Sequence, residues 1–129
     1  MEIALQKFHR LWFAFGWIGI LIVVYLSLVP SPPETFHAEY SDKVEHALAY
    51  GSLMLWFCQG YQRLAQRAIV AVLLVALGVS IEFLQGLTGY RSCELGDMLA
   101  NTTGVLIGWL SACTILGQVG IRLESRFFK

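Results

Sequence analysis

The sequence predicts an all-α fold: a polytopic membrane bundle of four transmembrane helices with both termini cytoplasmic, forming one domain over residues 1–129. Three observations carry this expectation. Hydrophobic residues make up 57% of the chain and charged residues only 14%, with a mean hydropathy of +0.62. Soluble domains carry about 25% charged residues and need them to cover their surface. The apolar residues fall in runs long enough to cross a bilayer, and the cations fall mostly between those runs on one side.

The first run, 11–29, holds no charge in 19 residues. It is too long for the apolar segment of a signal peptide, and SLVPSPP supplies no small-x-small cleavage site, so it is expected to remain as a span. The linker PSPPETFHAEYSDK follows, Pro-rich and acidic, with an extended path on the outer face. The second run, 44–61, opens on Glu45 and His46 and is apolar from Ala47 onward, so its polar start belongs near the headgroups. The third, 68–87, contains one charge, Glu82, and the fourth, 98–121, contains none. A helix needs roughly 20 residues to cross about 30 Å of hydrocarbon. Of the nine Lys and Arg, seven precede the first run, separate the second from the third, or follow the fourth. Only Lys43 and Arg91 lie on the other side, and cytoplasmic segments are the cation-rich ones.

That topology gathers the remaining polar residues at the outer face. Side chains three or four apart share one side of a helix. Asp42, His46 and Tyr50 form one stripe, Glu82 and Gln85 a second, Asp97 and Asn101 a third, with Arg91 in the loop between the last two. Glu82 lies roughly 7 to 8 Å below the outer end of its span at 1.5 Å per residue, and a carboxylate there needs a partner, for which Arg91 or His46 is the candidate. Gly78, Glu82, Gln85 and Gly89 are expected on one face. Gly104 and Gly108 form a small-xxx-small step that lets helices pack closely in lipid. Taken singly, His46 and Asn101 read as interhelical fasteners, Tyr50 as an interfacial aromatic and Lys43 as a headgroup anchor. Taken together, so many polar groups in one leaflet exceed what fastening four helices requires, and intramembrane ionisable groups are functional candidates.

The order SDKVEHALAY (41–50), IEFLQ (81–85), Arg91 and GDMLANTTG (96–104) resembles the VanZ-like family of small bacterial membrane proteins, named for a protein linked to reduced sensitivity to teicoplanin. The resemblance covers about residues 30–108. It carries over Asp42, Lys43, His46, Tyr50, Glu82, Gln85, Arg91, Asp97, Asn101 and Gly104, and implies a helical integral protein of the bacterial envelope, without implying a reaction.

Two function classes use the same outward pocket. One is an enzyme acting on an anionic envelope lipid or lipid-linked precursor, with catalytic candidates Asp42, His46, Glu82 and Asp97 for proton transfer. Arg91, Gln85, Asn101, Tyr50 and Lys43 are its substrate-binding candidates, and Arg91 has the fork that holds a phosphate or carboxylate. The other is a binder of a lipid headgroup or glycopeptide without chemistry. A hard metal held by Asp42, Glu82 and Asp97, with or without His46, fits by ligand type alone. A transporter is disfavoured because the inner halves offer no polar path. Membrane lipids are the expected partners, and no nucleic acid is.

The topology is checked by cysteine accessibility. Cys58 and Cys113 fall towards the inner side and Cys93 in an outer loop. An impermeant thiol reagent applied to spheroplasts carrying single-cysteine variants is expected to label Cys93 alone, and labelling of Cys58 instead would invert the assignment.

Overall fold

The computed structural model describes residues 8–30 and 41–127. Most of the Pro-rich linker, together with Lys7 and Lys129, lies outside the described residues. Every regular element among those described is helical: α1 (His9–Leu28), α2 (Ser41–Gly60), α3 (Leu64–Leu87), α4 (Leu95–Ala112), a 3₁₀ turn (Ile115–Gln118) and α5 (Val119–Phe127).

α1 is apolar on all sides, and only Gly16 is buried. Leu11, Phe15, Trp17, Leu21 and Tyr25 are all more than half exposed, as suits a helix facing lipid. It ends at Val29, whose backbone is extended because the ring of Pro30 disfavours a helical residue before it. Its hold on α2 is an aromatic clasp. Trp12 and Trp56 stack with ring centroids 4.1 Å apart, and each indole N–H donates to the other residue's carbonyl, at 3.1 and 2.9 Å.

α2 is the core element, burying Tyr50, Leu53, Met54, Phe57 and Cys58. Its main neighbour is α4, and the two meet backbone to backbone. A Cβ on Gly104 would collide with the Ala47 carbonyl, and one on Gly108 with the Gly51 carbonyl. A Cβ on Gly51 would stand 3.0 Å from the Gly104 oxygen. Each helix therefore contributes a small-xxx-small step, Ala47 with Gly51 and Gly104 with Gly108. α3 lies against this pair along Val70, Ala71, Leu74, Gly78, Ile81, Glu82 and Gln85, all buried. The expected face of α3 stops there, because Gly89 lies past the helix end, where its φ of +78° makes the turn that glycine allows.

Two of the expected segments need correction. The run 98–121 is one helix only to Ala112; the chain then bends by 73° into α5. Thr114 makes the break, donating its hydroxyl to the Ser111 carbonyl at 2.6 Å and accepting from the Leu116 N–H at 3.2 Å. Gly117 folds so closely over the Ala112 carbonyl that a Cβ would not fit. The third helix begins at Leu64, before 68, which takes Arg67 into its first turns and buries it. Arg67 donates to the carbonyls of Tyr61, Cys58 and Ala112, at the C-terminal ends of α2 and α4, and to Gln62. Gln59 and Gln66 are buried at the same end, so the end expected to offer no polar path does contain buried polar groups. Among the described residues, α1 and α3 are each long and apolar enough to cross a membrane, and α4 with α5 makes a third such unit if the bent pair is one span.

Because the α2–α4 contact has no room for a side chain, Gly104→Ala is expected to destabilise the protein by about 1–3 kcal/mol, the usual cost of overpacking a filled interior. Gly89→Ala, at a site open on all sides, tests backbone strain alone and should cost about 1–2 kcal/mol, the penalty of an L residue in the left-handed region. Thermal unfolding in detergent compares the two, and an unshifted Gly104→Ala would refute the close approach.

Candidate functional site

The crossing of α2 and α4 sets the first turns of both helices side by side at one end of the bundle, opposite Arg67. From α2 come Asp42, Lys43 and His46; from α4 come Asp97 and Asn101. The Lys43 ammonium lies 2.9 Å from Asp97 Oδ1 and 3.2 Å from both Glu94 Oε2 and Asp42 Oδ2. His46 Nδ1 is 2.9 Å from Asn101 Oδ1, and its Nε2 is 3.7 Å from Asp97 Oδ2. Lys43 is thus a member of the cluster and not a free headgroup anchor.

α3 contributes Glu82, which is fully buried. Its Oε2 accepts the backbone N–H of Glu94 at 3.1 Å. Neither expected partner pairs with it: Arg91 and His46 act on Glu82 through space, but among the described residues neither makes an ion pair with it. Tyr50 is 1% exposed and packs beside Gly78 with Asn101, so it is a core residue and not an interfacial aromatic. Three buried atoms here, Tyr50 Oη, Glu82 Oε1 and Asn101 Nδ2, have no hydrogen-bond partner among the described residues. Leaving such a group unpaired costs about 1–3 kcal/mol.

Two further candidates sit apart from this centre. Gln85 donates to the Ser27 carbonyl at 2.7 Å, fastening α3 to α1. Arg91 is half-buried in the α3–α4 loop, and among the described residues no hydrogen bond or ion pair reaches its guanidinium. Glu94 was not among the expected residues. It lies in a loop and belongs to no helical stripe, and its one sequence signal is its spacing of three from Asp97. The proposed metal set is also rearranged. His46, Glu82 and Asp97 each bring one ligand atom within 4.8 Å of the others, while Asp42 belongs to a separate group with Glu94 and Asp97.

A model of the VanZ/LLP1 family matches residues 5–116. The chain belongs to the VanZ/LLP1 family. Comparison with curated proteins and with solved structures returns no match. The matched stretch includes every residue of the polar cluster and stops within the 3₁₀ turn, leaving α5 outside. Family and apolar helices together make this VanZ/LLP1 chain a membrane protein.

The Lys43 network can be read by titration. The bonds it donates to Asp97, then to Glu94 and Asp42, hold the Lys43 ammonium well above the ordinary lysine range. The bond from Lys43, followed by that from Ser92, holds Glu94 below its ordinary value of 4.5. A depressed carboxyl contributes stability that is present above its unfolded value and lost as pH falls through the folded one. Thermal stability is therefore expected to decline as pH drops below 4.5, and Lys43→Gln is expected to flatten this decline. Parallel acid limbs in the two proteins would mean that Lys43 does not hold Glu94.

Proposed function

We propose that this VanZ/LLP1 protein crosses the bacterial cytoplasmic membrane four times with both termini inside. Its polar cluster opens on the extracytoplasmic side and receives the anionic headgroup of an envelope lipid or lipid-linked precursor, and through that lipid it affects susceptibility to glycopeptides such as teicoplanin. The observation that carries this reading is the set of three unpartnered buried atoms on three different helices, Tyr50 Oη, Glu82 Oε1 and Asn101 Nδ2. Residues that only fasten helices would satisfy one another, as Gln85 does with Ser27. Buried donors and an acceptor left unpaired on packed helices suit a ligand that brings both kinds of group. At the rim, Arg91 has a planar fork for a phosphate or carboxylate. His46 lies between Asn101 and Asp97, with a ring nitrogen towards each.

A headgroup binder without chemistry is the second reading. It is favoured by the Lys43 network, because an ammonium held by three carboxylates is committed to structure and not to proton transfer.

Arg91 tests the anionic ligand. Lys supplies the charge without the fork, so Arg91→Lys is expected to stay as stable as the parent while binding phosphatidylglycerol or polyprenyl phosphate at least about tenfold more weakly. A hydrogen bond to a charged group contributes about 1.5–3 kcal/mol, enough for that loss. Arg91→Ala is expected to lose binding and some stability. Binding to lipid nanodiscs, thermal unfolding and teicoplanin susceptibility provide the comparison, and a fully functional Arg91→Lys would reduce Arg91 to a counter-ion.

A further inference from the structure

The buried carboxylates divide their oxygens in a regular way. Asp97 Oδ1 is taken by the Lys43 ammonium, which leaves Oδ2 turned towards His46. Glu82 Oε2 is taken by the Glu94 N–H, which leaves Oε1 buried and unpartnered among the described residues. His46 follows the same pattern. Asn101 presents its amide oxygen to Nδ1, and in the tautomer of the neutral ring that donates from Nδ1 the Nε2 lone pair is free. His46, Glu82 and Asp97, from three helices, thus each bring a ligand atom to one place, and each has its other polar atom engaged.

Such an arrangement is repulsive unless something positive lies within it. His46 Nε2 stands 3.7 Å from Asp97 Oδ2, longer than the about 2.7–2.9 Å of a charge-assisted hydrogen bond. The ligand atoms of His46, Glu82 and Asp97 all lie within 4.8 Å of one another, a spread that one ion with bonds of about 2.0–2.5 Å spans. The neighbouring acidic group of Asp42, Glu94 and Asp97 shows the contrast, because there an ammonium already supplies the positive charge.

We propose that His46 Nε2, Glu82 and Asp97 bind one divalent cation of the Mn²⁺ or Zn²⁺ type, with the remaining coordination positions open to the ligand's anionic oxygens. One imidazole and two carboxylates form a ligand set that suits these ions. Asn101, Lys43 and the Glu94 N–H orient the three ligands from behind, as outer-shell groups do in metal sites. The proposal rests on reading this cluster as the headgroup site, and it removes a difficulty in that reading. Among the described residues, Asp42, Glu82, Glu94 and Asp97 are four carboxylates for which Lys43 and the more distant Arg91 are the permanent cations, and an anionic headgroup would be repelled without further positive charge.

The test uses the full-length protein in detergent, stripped with EDTA and then titrated with Mn²⁺ or Zn²⁺ in equilibrium dialysis, with thermal unfolding recorded at each step. One equivalent per chain is expected, with a rise in Tm on loading. Glu82→Gln and His46→Gln are expected to bind at least about tenfold more weakly, since losing a ligand costs no less than the about 10–100-fold loss measured for outer-shell groups. Their metal-free Tm values report whether each variant folds, and two variants guard against the failure of one. Cys93→Ser is expected to bind as the parent does, separating the site from the exposed thiol. Absence of saturable binding to the parent, or equal binding by both Gln variants, would overturn the proposal. Phosphatidylglycerol binding measured with and without EDTA separates the two readings. Arg91-dependent binding that survives chelation keeps the headgroup and discards the cation, whereas stoichiometric cation without headgroup binding does the reverse.

Discussion

Ala47 and Gly51 on α2 lie against Gly104 and Gly108 on α4 with carbonyl oxygens where side chains would otherwise stand, and this contact sets the geometry of everything around it. In lipid, apolar side chains gain little by leaving their surroundings, so helices associate through close packing and interhelical hydrogen bonds. Two small-xxx-small steps facing each other allow the closest packing available. The polar residues one turn further towards the same end are then brought within bonding range of each other, His46 to Asn101 and Lys43 to Asp97. A larger residue at Gly104 would push the helices apart and lengthen both bonds.

The two ends of the bundle use buried polarity differently. At the Arg67 end the guanidinium meets carbonyls at the C-terminal ends of two helices, where free acceptors and the negative pole of the dipole favour a cation. Gln59 donates to the Leu116 carbonyl and accepts from the Gly120 N–H, which ties the bent C-terminal segment to α2. Each of these bonds fills a vacancy left by a helix end. At the Lys43 end, the salt links are satisfied at the rim, while Tyr50 Oη, Glu82 Oε1 and Asn101 Nδ2 in the buried centre have no hydrogen-bond partner among the described residues.

The remaining helices support this centre from outside. α1 touches it only indirectly, through the Trp12–Trp56 clasp and through Ser27, which accepts from Gln85. α3 supplies Glu82 from a buried face that is small or aliphatic from Val70 to Ile81, and Gly78 beneath it leaves space for Tyr50 and Asn101. α5 is amphipathic, exposing Val119, Leu123 and Phe127 along with Arg122 and Arg126, a composition suited to the boundary between headgroups and acyl chains.

Helical class, apolar runs, the polar character of one bundle end and the identity of Asp42, His46, Glu82, Asp97 and Asn101 were legible in the sequence, because hydropathy and the spacing of three and four are local properties of a chain. The Gly104–Gly108 step was legible for the same reason. Pairing was not. That Lys43 belongs to Asp97 and Glu94, that Glu82 is held by a backbone N–H of the next loop, and that Gln85 fastens α1 while Arg91 pairs with none of the described residues are facts about residues distant in sequence whose meeting depends on crossing angles and helix register. The bend after Ala112 was hidden because Thr and Gly in an uncharged run hardly change its hydropathy, although they redirect its hydrogen bonds. Sequence alone determined which residues could not face lipid uncompensated. Only the tertiary structure decided which of them compensate one another, because the α2–α4 backbone contact sets the distances over which charges and hydrogen bonds act.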